Sequence, residues 1–123
     1  MNRNVIAIHF EDESRAGEAL SELQAASAAG LAQLLQAAVV QCDLQGRLRL
    51  KEGVAVALDP CMGQLAQSMP AGATVLVAIV REFVVDVVDG LARESGGQVQ
   101  RRPLAELQAE VAALQAASRA APG

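Results

Sequence analysis

Tryptophan and tyrosine are absent from this chain, and Phe10 and Phe83 are its only aromatic residues. A sheet that stacks bases on aromatic side chains is therefore not expected. Basic residues are outnumbered, 10 Lys and Arg against 14 Asp and Glu, for a net charge of -4. That balance argues against nucleic acid and anionic membrane surfaces as partners. One histidine, His9, and two cysteines, Cys42 and Cys61, leave no CxxC or HxxxH spacing for zinc and too few thiols for a disulfide framework. No apolar run approaches the roughly 18 residues of a membrane span. The opening Met1-Asn2-Arg3-Asn4 leads straight into a strand-like run and carries no signal-peptide pattern. The expectation is a cytoplasmic protein with both thiols reduced.

What the chain has in quantity is small aliphatic residues. The apolar fraction is 52% within 123 residues, enough for one domain with one core. With so few aromatics, that core is built from Ala, Val and Leu, each of which buries little area. A sheet of such residues requires closely packed covering layers or a partner chain.

The run Ala73 to Val80 is continuously apolar, rich in β-branched residues, and bounded by Pro70-Ala71-Gly72 and Arg81-Glu82. It predicts a strand buried on both faces. Val5 to Phe10 reads the same way. Asp12 in Glu11-Asp12-Glu13 is placed as a helix N-cap; the alternative for this acidic triplet, a cation site, has no further ligand nearby in sequence. The helix presents Ala16, Leu20, Leu23 and Ala26/Ser27 on one face and ends at Gly30.

A second strand over Leu34–Asp43, a turn at Asp43–Gly46 and an alternating strand Arg47–Lys51 follow. Arg47, Arg49 and Lys51 suit the outward face of an edge strand; a basic binding strip is the weaker alternative. Gly53 to Leu58 fits either strand or irregular chain. Asp59-Pro60 starts a short helix reaching about Met69. Phe83/Val84, Val87, Val88 and Leu91 then recur at helical spacing, with Glu82, Asp86, Asp89 and Arg93 opposite and Asp89 paired to Arg93 at i,i+4. Gly96-Gly97 ends that helix, and Gln98–Arg101 is a polar edge strand. From Pro103 a last helix carries Leu104, Leu107, Val111 and Leu114 as a narrow seam. Two heptads do not stand alone in water, so the helix has to dock, with fraying expected from Ala116 onward.

The order predicts an α+β chain, a ferredoxin-like α/β plait (βαβ-β-α-βαβ) over residues 1–102 with an extra edge strand. Residues 103–123 form an amphipathic C-terminal helix docked on the domain or on a partner chain. The doubly apolar strands then fall at the centre and the half-polar ones at the edges.

Three segments carry a family resemblance: VIAIHFEDESRAGEALSEL from Val5, LLQAAVVQCDLQGRLRLKEG from Leu34, and MPAGATVLVAIVRE from Met69, followed by a helix and GGQVQRR. In these the chain resembles the uncharacterised bacterial family DUF1269. The matching features are turns and core strands and include no catalytic signature. Many members look as if they hold a long Gly-rich apolar insertion after the hairpin, where only Gly53–Leu58 stands here. That departure removes the ground for a membrane role, and the family has no assigned activity to carry over.

Residues with potential chemistry are few. His9 alternates with Ile8 and Phe10 on a strand and reads as structural. Cys61, just inside the start of the Asp59-Pro60 helix, is a reactive-thiol candidate because a helix N-terminus lowers thiol pKa; a small buried side chain is the plainer assignment. No Ser-His-Asp set, phosphate loop or dinucleotide fingerprint is present, and Gly96-Gly97 precedes a strand. No catalytic, cofactor or metal residue is assigned, and the chain is not read as an enzyme. The primary expectation is a non-catalytic, self-associating interaction or regulatory module, most simply a homodimer, with Leu104, Leu107, Val111 and Leu114 as the interaction residues. The second is a plait domain that senses an unidentified small molecule at a dimer interface, for which Gly53 and Gly72 are the loop candidates. An enzyme of the dimeric α/β-barrel type comes third, because it requires a polar cavity that these aliphatic strands do not supply.

Overall fold

The computed structural model describes residues 3–45, 47–53, 60–70, 72–83 and 85–120, without the side chains of Cys42 and of residues 50–53 and 118–120. The readings of Gly46, Val54 to Leu58, the Asp59 cap, Val84 and residues 121–123 lie outside the described residues, as does the thiol of Cys42.

The elements are β1 (Arg3–Phe10), α1 (Glu13–Ala28), β2 (Ala32–Cys42), β3 (Leu48–Gly53), α2 (Pro60–Gln67), β4 (Thr74–Glu82), α3 (Val85–Glu94), β5 (Gln98–Pro103) and α4 (Leu104–Ala120). The strands form one antiparallel five-stranded sheet in the order β3-β2-β4-β1-β5. It is a mixed α+β fold whose sheet is more strongly curled than that of a plait. β1 and β4, apolar at nearly every position, lie inside the sheet and pair in register from Arg3↔Arg81 to Phe10↔Thr74. The half-polar β3 and β5 take the edges.

Both faces of the sheet are covered. Leu76, Ala78 and Val80 of β4, with Ile6, Ile8 and Phe10 of β1, pack against Ala16, Ala19, Leu20 and Leu23 of α1 and Val88, Leu91 and Ala92 of α3. Val75, Val77 and Ile79, with Val5 and Ala7, face Met62, Leu65 and Ala66 of α2 and Leu104 and Leu107 of α4. Within one chain, α2 joins α4 on that face, and Val75 and Val77 are fully buried.

Local chemistry explains the element ends. Asp12 sits at φ -101°, ψ 115°, and its carboxylate accepts from the Ser14 backbone N–H at 3.0 Å and from the Ser14 hydroxyl at 2.8 Å. This is the side-chain cap that starts α1. At the other end of the helix the Leu31 N–H reaches the Ala26 carbonyl, with Gly30 at φ 78°. A bulge between Leu34 and Gln36 bends β2, and the Leu34 N–H donates to Ser27 Oγ at 3.1 Å. Asp43 closes the β2–β3 turn by accepting from the N–H groups of Gln45 and Arg47.

Four sequence assignments are corrected. Glu82 belongs to β4 and is buried, its side chain 2% exposed, because the strand runs two residues past the apolar stretch. Phe83 stands outside α3 and is 49% exposed, so it does not contribute to the helix face. Asp89 pairs with Arg101 of β5 rather than with Arg93, because α3 packs over β5, whose Arg101 offers its guanidinium across the layer. Helix α4 continues to Ala120, past the expected fraying point at Ala116.

Candidate interaction surfaces

The sequence-derived interaction residues divide along α4. Leu104 is 6% exposed and Leu107 fully buried, both against α2 and the sheet. Val111 is partly buried on the same cluster. Leu114, one heptad beyond Leu107, is 55% exposed, and residues 112–117 are all exposed. Seven residues return the helix to the same side, so one stripe runs from the core into solvent. The 3-4-3 spacing identified the stripe. The length of platform beneath it depends on where α2 and the sheet end, which spacing alone does not encode.

Cys61 is a buried thiol, 5% exposed, within the cluster of Met62, Leu65, Val75 and Leu107. The fold therefore puts the reactive-thiol candidate out of reach of bulky electrophiles. His9 lies opposite Val75 and Gln98 in the sheet and is partly buried. Gly72 adopts φ 82° before β4, and Gly53 pairs with Ala38 at the end of β3. Of the acidic triplet, Asp12 is committed to the α1 cap. Among the described residues no group of three or more His, Cys, Asp or Glu side chains gathers to hold a metal ion. No described helix is long and apolar enough to cross a membrane.

One polar constellation escaped the sequence reading. Glu82 of β4 accepts from Arg101 Nε and Nη2, each at 2.6 Å, and from Asn4 Nδ2 at 2.7 Å, while Arg101 Nη2 also meets Asp89 at 2.9 Å. Four elements, β1, β4, β5 and α3, are tied there. The Glu82 hydrogen bonds, with burial opposing them, hold the Arg101 guanidinium above its usual range. Every group is matched by an opposite charge or donor, which is the arrangement of a structural lock.

Two depressions open on the α1/α3 layer. A mixed-charge cleft is lined by Phe10, Glu11, Asp12, Arg15, Arg93 and Glu94. A trough of about 560 Å³ runs between α1 and α3, open to solvent along its length. Its walls are small or apolar: Ala25, Ala26, Ala29 and Leu31 on the α1 side, Val87, Gly90 and Leu91 on α3. Glu22, Asp86 and Glu94 stand on its rim. The volume is in the range of small-ligand pockets, but the trough is open rather than enclosing and its polar groups are rim carboxylates. That geometry suits a protein segment better than a small ligand. Sequence reading missed it because alanines fit core and surface equally.

No family model matches the chain, and neither a curated protein nor a solved structure matches it significantly.

Proposed function

We propose that this chain is a non-catalytic, self-associating interaction or regulatory module. The observation that supports this reading is the α4 stripe, buried at Leu107 and 55% exposed at Leu114. Residues 112–117 of this 17-residue helix are all exposed, so packing within the domain adds little to their helicity; contact with another protein surface supplies the missing packing. A ferredoxin-like plait belongs to the same proposal. With β3 set aside, the order β5-β1-β4-β2 and the two interleaved crossovers through α1 and α3 agree with it, on a sheet more curled than usual. Kinship with DUF1269 and a cytoplasmic setting, tested by cell fractionation, complete the proposal; neither adds an activity.

Light scattering over a concentration series tests the reading. A mass rising above that of one 12.7 kDa chain supports it. A monomer up to about 200 µM, where even a weak specific contact is populated, overturns it.

The mixed-charge cleft favours a second reading, a sensor domain for a small zwitterionic ligand, since guanidinium and carboxylate groups face one opening. Thermal melting against an amino-acid and metabolite library tests this: a ligand specific for the native state raises the melting temperature. Flat melting curves throughout remove the reading.

A further inference from the structure

The mixed-charge cleft contains a buried polar group that the fold itself does not use. Ser95 is 6% exposed and lines the cleft beside Phe10 and Gly96. Its backbone N–H donates to the Leu91 carbonyl at 3.1 Å, while its hydroxyl makes no hydrogen bond among the described residues. The hydroxyl oxygen keeps an opening to the cleft, since among the described side chains only Gln36 Oε1 is both sealed and unpartnered. A buried hydroxyl without a partner is costly, and the cleft is the side from which a partner can arrive. We propose that the cleft binds the ammonium and carboxylate of a free α-amino acid, with the Ser95 hydroxyl donating to the carboxylate. The proposal rests on the sensor reading of this cleft and names its ligand class and its floor.

The charges on the walls select that class. Glu11 and Arg15 stand on the α1 side, Arg93 and Glu94 on the α3 side, around a space of about 400 Å³. Asp12 is committed to the α1 cap, and Arg15 is held only loosely, 3.7 Å from Glu18 with its side chain half exposed. Among the described residues no ion pair joins the two walls, and Glu11, Arg93 and Glu94 take part in none. A ligand of one sign is repelled by half of these four groups. A ligand with a cation and an anion a few atoms apart is served by all of them: two guanidinium groups for its carboxylate and two carboxylates for its ammonium. Arg93 is exposed and lies back along α3 toward Gly90, so it swings into the cleft as the ligand arrives.

The floor is already in place. Gly96 at φ 72° turns the chain out of α3, and the Gly97 N–H closes on the Ala92 carbonyl at 2.8 Å. Gly97 packs so closely on Ile8 and Phe10 that a Cβ there would lie 2.5 Å from Ile8 Cγ2. Backbone contacts on both sides therefore fix Ser95, and the ligand does not have to order it. The charged side chains on the walls are exposed and do have to be ordered. Modest affinity follows, with a dissociation constant on the order of 0.1–1 mM.

Thermal melting with each of the common L-amino acids at about 10 mM tests the class. At least one is expected to raise the melting temperature by several degrees. Calorimetry then compares that amino acid with its N-acetyl and amide derivatives, each of which lacks one charge and is expected to bind roughly tenfold or more weakly. Ser95→Ala should also weaken binding roughly tenfold, yet melt no lower than the wild type without ligand, since a methyl replaces an unpartnered hydroxyl. Arg93→Gln and Glu11→Gln, at exposed positions, should weaken binding and leave the unliganded melt unchanged. A one-charge derivative that binds as tightly as its parent overturns the ligand class and leaves a sensor of another kind. A metabolite that binds where no amino acid does has the same meaning. Wild-type affinity in Ser95→Ala overturns the assigned floor. Flat melts with every compound remove the sensor reading together with this one.

Discussion

Arg101 of β5 holds Glu82 of β4 across the intervening strand β1, with Nε and Nη2 each 2.6 Å from a carboxylate oxygen. The Glu82 side chain is 2% exposed and that of Arg101 23%. This two-point pair, completed by Asn4 and Asp89, closes one end of the sheet against α3. Arg101→Ala leaves the Glu82 carboxylate buried without its cation, which costs about 2–4 kcal/mol after allowing for the partial exposure of the arginine. Urea denaturation measures it. Replacing both residues by Glu82→Leu and Arg101→Met recovers most of that loss, since an apolar pair of similar volume avoids desolvating two charges. A double variant no more stable than the single one would show that packing, not charge, sets the cost.

Gly97 is tested differently. A Cβ there would lie 2.5 Å from Ile8 Cγ2 and 2.8 Å from Phe10 Cε1, both in the core. Gly97→Ala is therefore expected to destabilise the fold by roughly 1–3 kcal/mol through overpacking. Gly90→Ala meets only Arg93 Nη2, at 3.9 Å, and is expected to stabilise by roughly 0.5–1 kcal/mol through helix propensity. Thermal melts of the two variants should move in opposite directions.

The two leucines of the α4 stripe should also separate. Leu107→Asp places a carboxylate in the cluster of Leu65, Val75 and Leu104, at a cost of about 3–5 kcal/mol, and detaches α4 or unfolds the domain. Leu114→Asp, in solvent, shifts monomer stability by less than about 0.5 kcal/mol. Denaturation below the concentration of association distinguishes them. Equal losses at both sites would mean that the stripe is buried along its whole length.

These contrasts show which parts of the structure were readable beforehand. The central strands declared themselves through Val75 to Val80 and Val5 to Ile8, because a short run that is apolar at consecutive positions and rich in β-branched residues suits a strand covered on both faces. Asp12, Gly30 and Gly96 marked helix ends through backbone chemistry that acts within a few residues. Glu82 was misread because its spacing to Asp86 and Asp89 also fits a helix surface, while its burial is decided by Arg101, nineteen residues away. Leu114 shows the same kind of limit: periodicity gives the side of a helix, and tertiary structure gives how far the support beneath it reaches. The trough is a relation between two helices, and each supplies mainly small residues that carry no periodic signal.

The start of α1 supplies a pH test. Asp12 Oδ1 accepts from the Ser14 hydroxyl and the Ser14 N–H, and these bonds, with the nearby Arg15 charge, hold its carboxyl below the ordinary aspartate value of 3.8. A carboxyl whose folded pKa is depressed stabilises the native state above its unfolded pKa and loses that contribution as pH falls through the folded value. Asp12→Ala removes the cap. Its melting temperature should lie below that of the wild type at neutral pH, by a gap that holds down to about pH 4 and narrows below it. Asp12→Asn keeps a side-chain acceptor without the charge. It should fall between the two at neutral pH and show less of the acid-dependent narrowing. Circular-dichroism melts of the three proteins from pH 7 to pH 2.5 provide the comparison. A gap between wild type and Asp12→Ala that is constant across the range would mean that the ionised form contributes nothing beyond the hydrogen-bond acceptor.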